Sequence, residues 1–121
     1  MWLYFQSTGE LWHEGVLVAK GYSGKGAGKN NPALQSTKHV GPIPRGFYTT
    51  EPPYNSTLRG PLCIPLEPDF DNEMFGRSAF LIHGDSIKKP GTASEGCIIL
   101  GRKIRQSIVE SRDKRLQVRE V

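Results

Sequence analysis

Two side chains in this sequence can do nucleophilic chemistry if the fold brings them together: the thiol of Cys97 and the imidazole of His83. His83 closes an apolar run over 78–83 and is followed at once by Gly84 and Asp85. A strand end meeting a glycine is a place where a polar side chain can face a cleft. Cys97 follows Gly96 and enters Ile98, Ile99 and Leu100. Glycine beside it lets the backbone turn tightly and lets a substrate approach. Each residue alone has a plain structural explanation, a hydrogen-bonded core histidine or a small buried hydrophobe. Together they make a reagent. A thiol is a poor nucleophile until it loses its proton, and a nearby imidazole lowers its pKa and takes that proton.

Thirteen residues separate the pair. That is enough for two adjacent strands to return side by side and set His83 and Cys97 opposite each other at one end of a sheet. The amides of Gly96 and Cys97 would then form an oxyanion hole. Gly84, Asp85, Ser94 and Glu95 are the remaining supporting residues. The second imidazole nitrogen needs an orienting partner, either a backbone carbonyl near Gly84 or the carboxylate of Asp85. Arg77 and Arg102 are candidates for binding a substrate carboxylate, since guanidinium forks suit that task. Tyr22 and Ser23 are candidates for the rim.

The elements that must position these groups are mostly strands. The chain of 121 residues carries 14 Gly and 9 Pro, which favours a turn-rich β fold over a helical bundle. The length predicts one domain over 1–121. Residues 2–6 and 11–19 read as a hairpin around the turn at 7–10, and 21–32 reads as a loop. Gly41-Pro42-Ile43-Pro44 leads into a strand at 47–50. Residues 51–76 hold five prolines and read as an irregular excursion with one short strand near 62–66. A buried strand is expected at 78–83, a loop at 84–95, a helix at 101–113 and a closing strand at 115–121. The fold expected is mostly β, a β-sandwich or open barrel, with one C-terminal α-helix.

Several function classes fall away. Gly24, Gly26 and Gly28 are spaced wrongly for a dinucleotide fingerprint, and no Gly-Lys-Ser/Thr occurs. Hence no nucleotide cofactor, or any other, is expected. Two cysteines with no Cys-x-x-Cys and three scattered histidines argue against a metal site. Residues 1–100 balance nine basic with nine acidic groups, so the net charge of +4 resides in 101–121. No aromatic residues interleave that basic tail, which argues against nucleic acid as a partner. No signal peptide or membrane span is expected. Nothing demands more than a monomer.

Ile-His-Gly-Asp (82–85) followed by Ser-Glu-Gly-Cys-Ile (94–98) resembles the signature of the L,D-transpeptidase (YkuD-type) superfamily. The likeness is closest to its type VI secretion effector branch. Thr-Gly-Glu-Leu (8–11), Gly-Tyr-Ser-Gly (21–24), Gly-Pro-Ile-Pro-x-Gly-x-Tyr (41–48) and Phe-Gly-Arg-Ser-x-Phe-Leu-Ile-His-Gly-Asp (75–85) extend it over roughly residues 8–100. The resemblance implies an L,D-transpeptidase-like catalytic domain acting on peptidoglycan stem peptides. Cys97 would attack the bond before the terminal D-alanine, with His83 as base, giving L,D-carboxypeptidase or exchange activity. It also implies a protein made in the cytoplasm, delivered by a secretion apparatus component and acting in the periplasm of a target bacterium, with a cognate immunity protein. Glu95 stands where housekeeping members carry His, and Ile99 where they carry Arg or Asn. Both departures weigh against cross-linking more than against thiol chemistry.

Overall fold

The computed structural model describes residues 1–121. Ten strands and one helix follow in order: β1 Trp2–Phe5, β2 Glu10–His13, β3 Val16–Lys20, β4 Tyr22–Ser23, β5 Gly46–Thr50, β6 Tyr54–Ser56, β7 Gly60–Pro68, β8 Leu81–His83, β9 Ile98–Ile99, α1 Arg102–Ser111 and β10 Arg115–Arg119. The fold is therefore mostly β with one helix near the C-terminus, as the composition implies. No helix is long and apolar enough to cross a membrane.

The strand order is β3-β2-β1-β10-β5-β7-β8-β9-β4, with β6 attached to β7. Its two outermost strands, β3 and β4, are consecutive in the chain with only Gly21 between them. A flat sheet cannot hold its two ends one residue apart, so the sheet curls until they meet, in the manner of an open barrel. Gly21 makes that closure possible. Its amide donates to the Gly9 carbonyl at 2.8 Å, and a Cβ there would lie 1.9 Å from the Ile99 carbonyl oxygen.

Inside the curl sits one cluster of 14 buried residues. Ile64, Ile82 and Ile98, on neighbouring strands β7, β8 and β9, join Tyr4, Tyr48 and Leu116 in it. Side chains alternate across a strand. The residues next to those isoleucines, Cys63 and His83, therefore face away from this core. Helix α1 has no side-chain cap at Gly101 and ends where Arg112 turns left-handed (φ 59°). It buries Ile108 and Arg105 and packs against β7.

The structure departs from the sequence expectations in four places. Residues 11–19 form two strands, because Glu14 and Gly15 both take positive φ (50° and 80°) and make a tight hairpin turn. The 21–32 loop contains β4, whose Tyr22 and Ser23 pair with Ile99 and Ile98. The 51–76 excursion contains the β6–β7 hairpin, and β7 runs nine residues through Pro61, Pro65 and Pro68. Pro65 stands where β7 passes from β8 to β5, a position where a missing amide costs little. The strand expected at 78–83 starts only at Leu81, because Ala79 takes a left-handed φ of 64°.

Candidate functional site

His83 ends β8, and Cys97 immediately precedes β9, the parallel neighbour of β8. Residues 84–97 supply the crossover that a parallel pair requires, here without a helix. In register, His83 lies beside Ile99. Cys97 lies beside Leu81, whose amide donates to Cys97 Sγ at 3.3 Å. The pair is thus diagonal on adjacent strands, not directly opposite. Cα atoms in such a relation stand about 7–8 Å apart, within reach of two side chains on one face.

The imidazole is set up as a base. His83 Nδ1 lies 2.9 Å from the Gly84 carbonyl oxygen. A carbonyl only accepts, so Nδ1 carries the proton and Nε2 offers the lone pair. Nε2 is buried and has no hydrogen-bond partner. Of the two orienting groups the sequence allows, the Gly84 carbonyl takes the role. Burial pushes the His83 pKa below its ordinary value, and the nearby Arg59 and Arg105 cations push the same way; the Gly84 contact and Asp85 oppose them without prevailing. The resting imidazole is neutral at pH 7.

The thiol is not preformed as a thiolate. Burial raises the Cys97 pKa above its ordinary value, and Cys63 adds to that; the Leu81 amide, Arg59 and Arg77 only partly offset it. The direction is opposite to the lowering that the sequence led us to expect. Both cysteines are free.

Asp85 does not touch His83. It accepts from the Tyr22 hydroxyl at 2.6 Å and from the amides of Ser86 and Gly91. Burial alone would raise its carboxyl pKa, but these hydrogen bonds and Lys29 hold it below the usual range. The Tyr22 hydroxyl is pushed up to about 12, by burial first and then by its bond to Asp85. It also accepts from the Ala93 amide at 2.9 Å. Tyr22 and Asp85 therefore shape the crossover.

Two serines fix the turn before Cys97. Ser94 Oγ donates to the Cys97 carbonyl at 2.6 Å and accepts from the amides of Gly24 and Gly96. Ser23 Oγ donates to the Gly96 carbonyl at 2.7 Å and accepts from the Ile43 amide. Ser23 is fully buried, so it is a tie beneath the turn and not a rim contact. The Gly96 amide is committed to Ser94. Of the two amides expected in an oxyanion hole, only that of Cys97 makes no hydrogen bond within the chain.

Arg77 lies under this turn. Its guanidinium donates to the carbonyls of Gln35, Pro42, Gly41 and Glu95 at 2.6–3.2 Å. Gly96 must be glycine for it to fit, since a Cβ there would lie 2.5 Å from Arg77 Nη2 at φ +143°. With both terminal nitrogens spent on backbone carbonyls, Arg77 has no free fork to offer the substrate carboxylate that the sequence assigned to it. Arg102 is exposed and borders a cleft with Arg59, Arg105, Gly84, Asp85 and Tyr22. Neither His83 nor Cys97 lines that cleft.

His83 and Cys97 each line a cleft of their own. One of about 380 Å³ is lined by His83, Gly84 and Asp85, and one of about 190 Å³ by Cys97, Gly96 and Arg77. Glu95 borders both, and its carboxylate lies 3.1 Å from His39 Nδ1. Sequence reasoning missed Arg59, which also borders both clefts. Its only signal is that it is the lone basic residue between Arg45 and Arg77. Arg105 was missed too, although it stands three residues before Ile108, on the buried face of α1. It donates to the carbonyls of Leu100, Pro61 and Leu62 at 2.7–3.0 Å. Away from the site, His13, Glu14 and Asp113 bring possible metal-ligand atoms within 4.8 Å of one another, a grouping that sequence spacing hides.

A family model described as the Tlde1 domain matches residues 18–121. No curated protein and no solved structure matches the chain.

Proposed function

The chain belongs to the Tlde1 domain family, and on that premise we propose that it is an antibacterial type VI secretion effector acting as a cysteine L,D-carboxypeptidase and exchange enzyme on peptidoglycan tetrapeptide stems. The observation that carries the chemistry is the orientation of His83. Its Nδ1 is committed to Gly84, its Nε2 has no partner, and the strand register sets its side chain on the same face as that of Cys97.

The steps follow from that arrangement. As substrate closes the distance, His83 Nε2 takes the Cys97 proton and Sγ attacks the carbonyl carbon before the terminal D-alanine. The Cys97 amide faces the developing oxyanion. His83 then gives its proton to the departing amine, the C–N bond breaks, and a thioester remains. Water attacks that thioester, loses a proton to His83, and releases the tripeptide while the thiol is restored. A D-amino acid in place of water gives exchange. Neutral resting partners suit this route, because the imidazole must arrive unprotonated.

The family reading carries a secretion apparatus component and a cognate immunity protein as partners, and the periplasm of a target cell as the place of action. Digestion of purified sacculi tests the chemistry. Wild type is expected to convert tetrapeptide muropeptides to tripeptides, read by mass spectrometry. Cys97→Ala and His83→Ala are expected to abolish the conversion while remaining folded. Conversion that survives in Cys97→Ala overturns the assignment.

A further inference from the structure

The chemistry proposed above leaves one requirement without a residue. A carboxypeptidase must recognise a chain that ends in a carboxylate, and the two arginines that the sequence singled out for it, Arg77 and Arg102, are placed otherwise. Arg77 gives both terminal guanidinium nitrogens to four carbonyls, and Arg102 lines neither the cleft that holds His83 nor the one that holds Cys97. Among the other arginines, Arg105 is held by backbone, Arg115 by Asp69 and Arg45 by Glu120.

Arg59 is different. It sits in the turn between β6 and β7, where its backbone amide donates to Ser56 Oγ at 2.9 Å. Its guanidinium takes part in none of the chain's side-chain hydrogen bonds or ion pairs. Only two residues border both the His83 cleft and the Cys97 cleft: Arg59 and Glu95. They carry opposite charges and form no ion pair with each other. Glu95 is engaged by His39. A carboxylate entering the junction is repelled by Glu95 and drawn to Arg59, whose planar fork matches a carboxylate's two oxygens.

We propose that Arg59 is the specificity-determining residue that binds the terminal carboxylate of the stem peptide, placing the scissile carbonyl between His83 and Cys97. This rests on the substrate class proposed above. The hairpin thereby acts as part of the site: its tip, not the strands that carry the catalytic pair, selects chain ends over internal amides.

Binding to the Cys97→Ala protein tests this without turnover. The probes are a tetrapeptide stem ending in D-alanine and the same stem ending in D-alanine carboxamide. Calorimetry is expected to show the free acid binding roughly tenfold to a hundredfold tighter, the range of a charge-assisted hydrogen-bonded pair. Adding Arg59→Ala is expected to erase that ratio, and Arg59→Lys to restore part of it. An exposed turn residue is unlike a core residue, and circular dichroism checks that both variants remain folded. A ratio preserved in Arg59→Ala overturns the proposal, as does a wild-type site that does not distinguish acid from amide or binds neither. The proposed activity is judged separately, by wild-type turnover of sacculi: turnover with an unchanged acid-to-amide ratio in Arg59→Ala sinks the role of Arg59 alone.

Discussion

Arg77 and Arg105 are buried to the same degree, 5% exposed each, and neither meets a carboxylate. Both spend their donors on backbone carbonyls, and burial lowers the pKa of both. Yet they act on different halves of the site. Arg77 sits under the Cys97 turn, where its charge favours the thiolate. Arg105 reaches from α1 to the root of β7 beside His83, where its charge disfavours the imidazolium. One cation makes the thiol easier to deprotonate, and the other keeps the base unprotonated. An unneutralised buried cation is costly as structure, but here each one biases a proton in a useful direction.

The comparison can be broken most severely at Arg77. Arg77→Met leaves four carbonyls without their donor and removes the bond that holds the Glu95 carbonyl. A loss of roughly 3 kcal/mol of stability is expected, read from urea unfolding. In protein that still folds, the pH midpoint of iodoacetamide labelling at Cys97, already above that of an ordinary thiol, is expected to move higher still. A midpoint that does not move would mean that Arg77 only holds the turn.

Arg105→Met is expected to cost less, roughly 2 kcal/mol, because three carbonyls lose their donor. Its distinguishing effect is on pH. His83 must be neutral to act, so kcat/KM for tetrapeptide cleavage should rise with pH through the His83 pKa, below the ordinary value of about 6.5. Removing a nearby cation makes the imidazolium less unfavourable, which raises that pKa. The acid limb is therefore expected to shift to higher pH in Arg105→Met.

The smallest effect is expected at the exposed pair His39 and Glu95. His39→Ala should change stability by no more than about 0.5 kcal/mol, because exposed ion pairs contribute little. Equal losses from His39→Ala and Arg77→Met would remove the distinction between a surface contact and a buried clamp.

Much of this organisation was legible in the sequence, and the reason differs from residue to residue. His83 and Cys97 announced themselves because glycines flank them and their spacing fits a strand-to-strand crossover. The diagonal offset was not legible, because register is set by partners elsewhere in the sheet. The Glu14–Gly15 turn escaped because glutamate is an unusual first residue for positive φ. Strand β7 was legible only in part, near 62–66 instead of Gly60–Pro68, because its prolines read as loop, and β6 was not legible at all. The arginines were hardest. Arg59, Arg77, Arg102 and Arg105 look alike in a sequence, and only the carbonyls around them separate clamp from ligand candidate.

The curl of the sheet also governs how the molecule comes to exist. Trp2 of β1 lies beside Leu116 of β10, and β3 passes directly into β4, which pairs with β9. Local hairpins join β1 to β2 and β2 to β3, but the pairings of β10 with β1 and β5, and of β4 with β9, join partners distant along the chain. Such topology raises contact order, and closing large loops before any contact repays them makes folding slow. A polypeptide emerging from the ribosome cannot complete the wall until β10 has been synthesised. His83 and Cys97 stand on β8 and beside β9, toward the β4 end of that wall, so their placement depends on its closure.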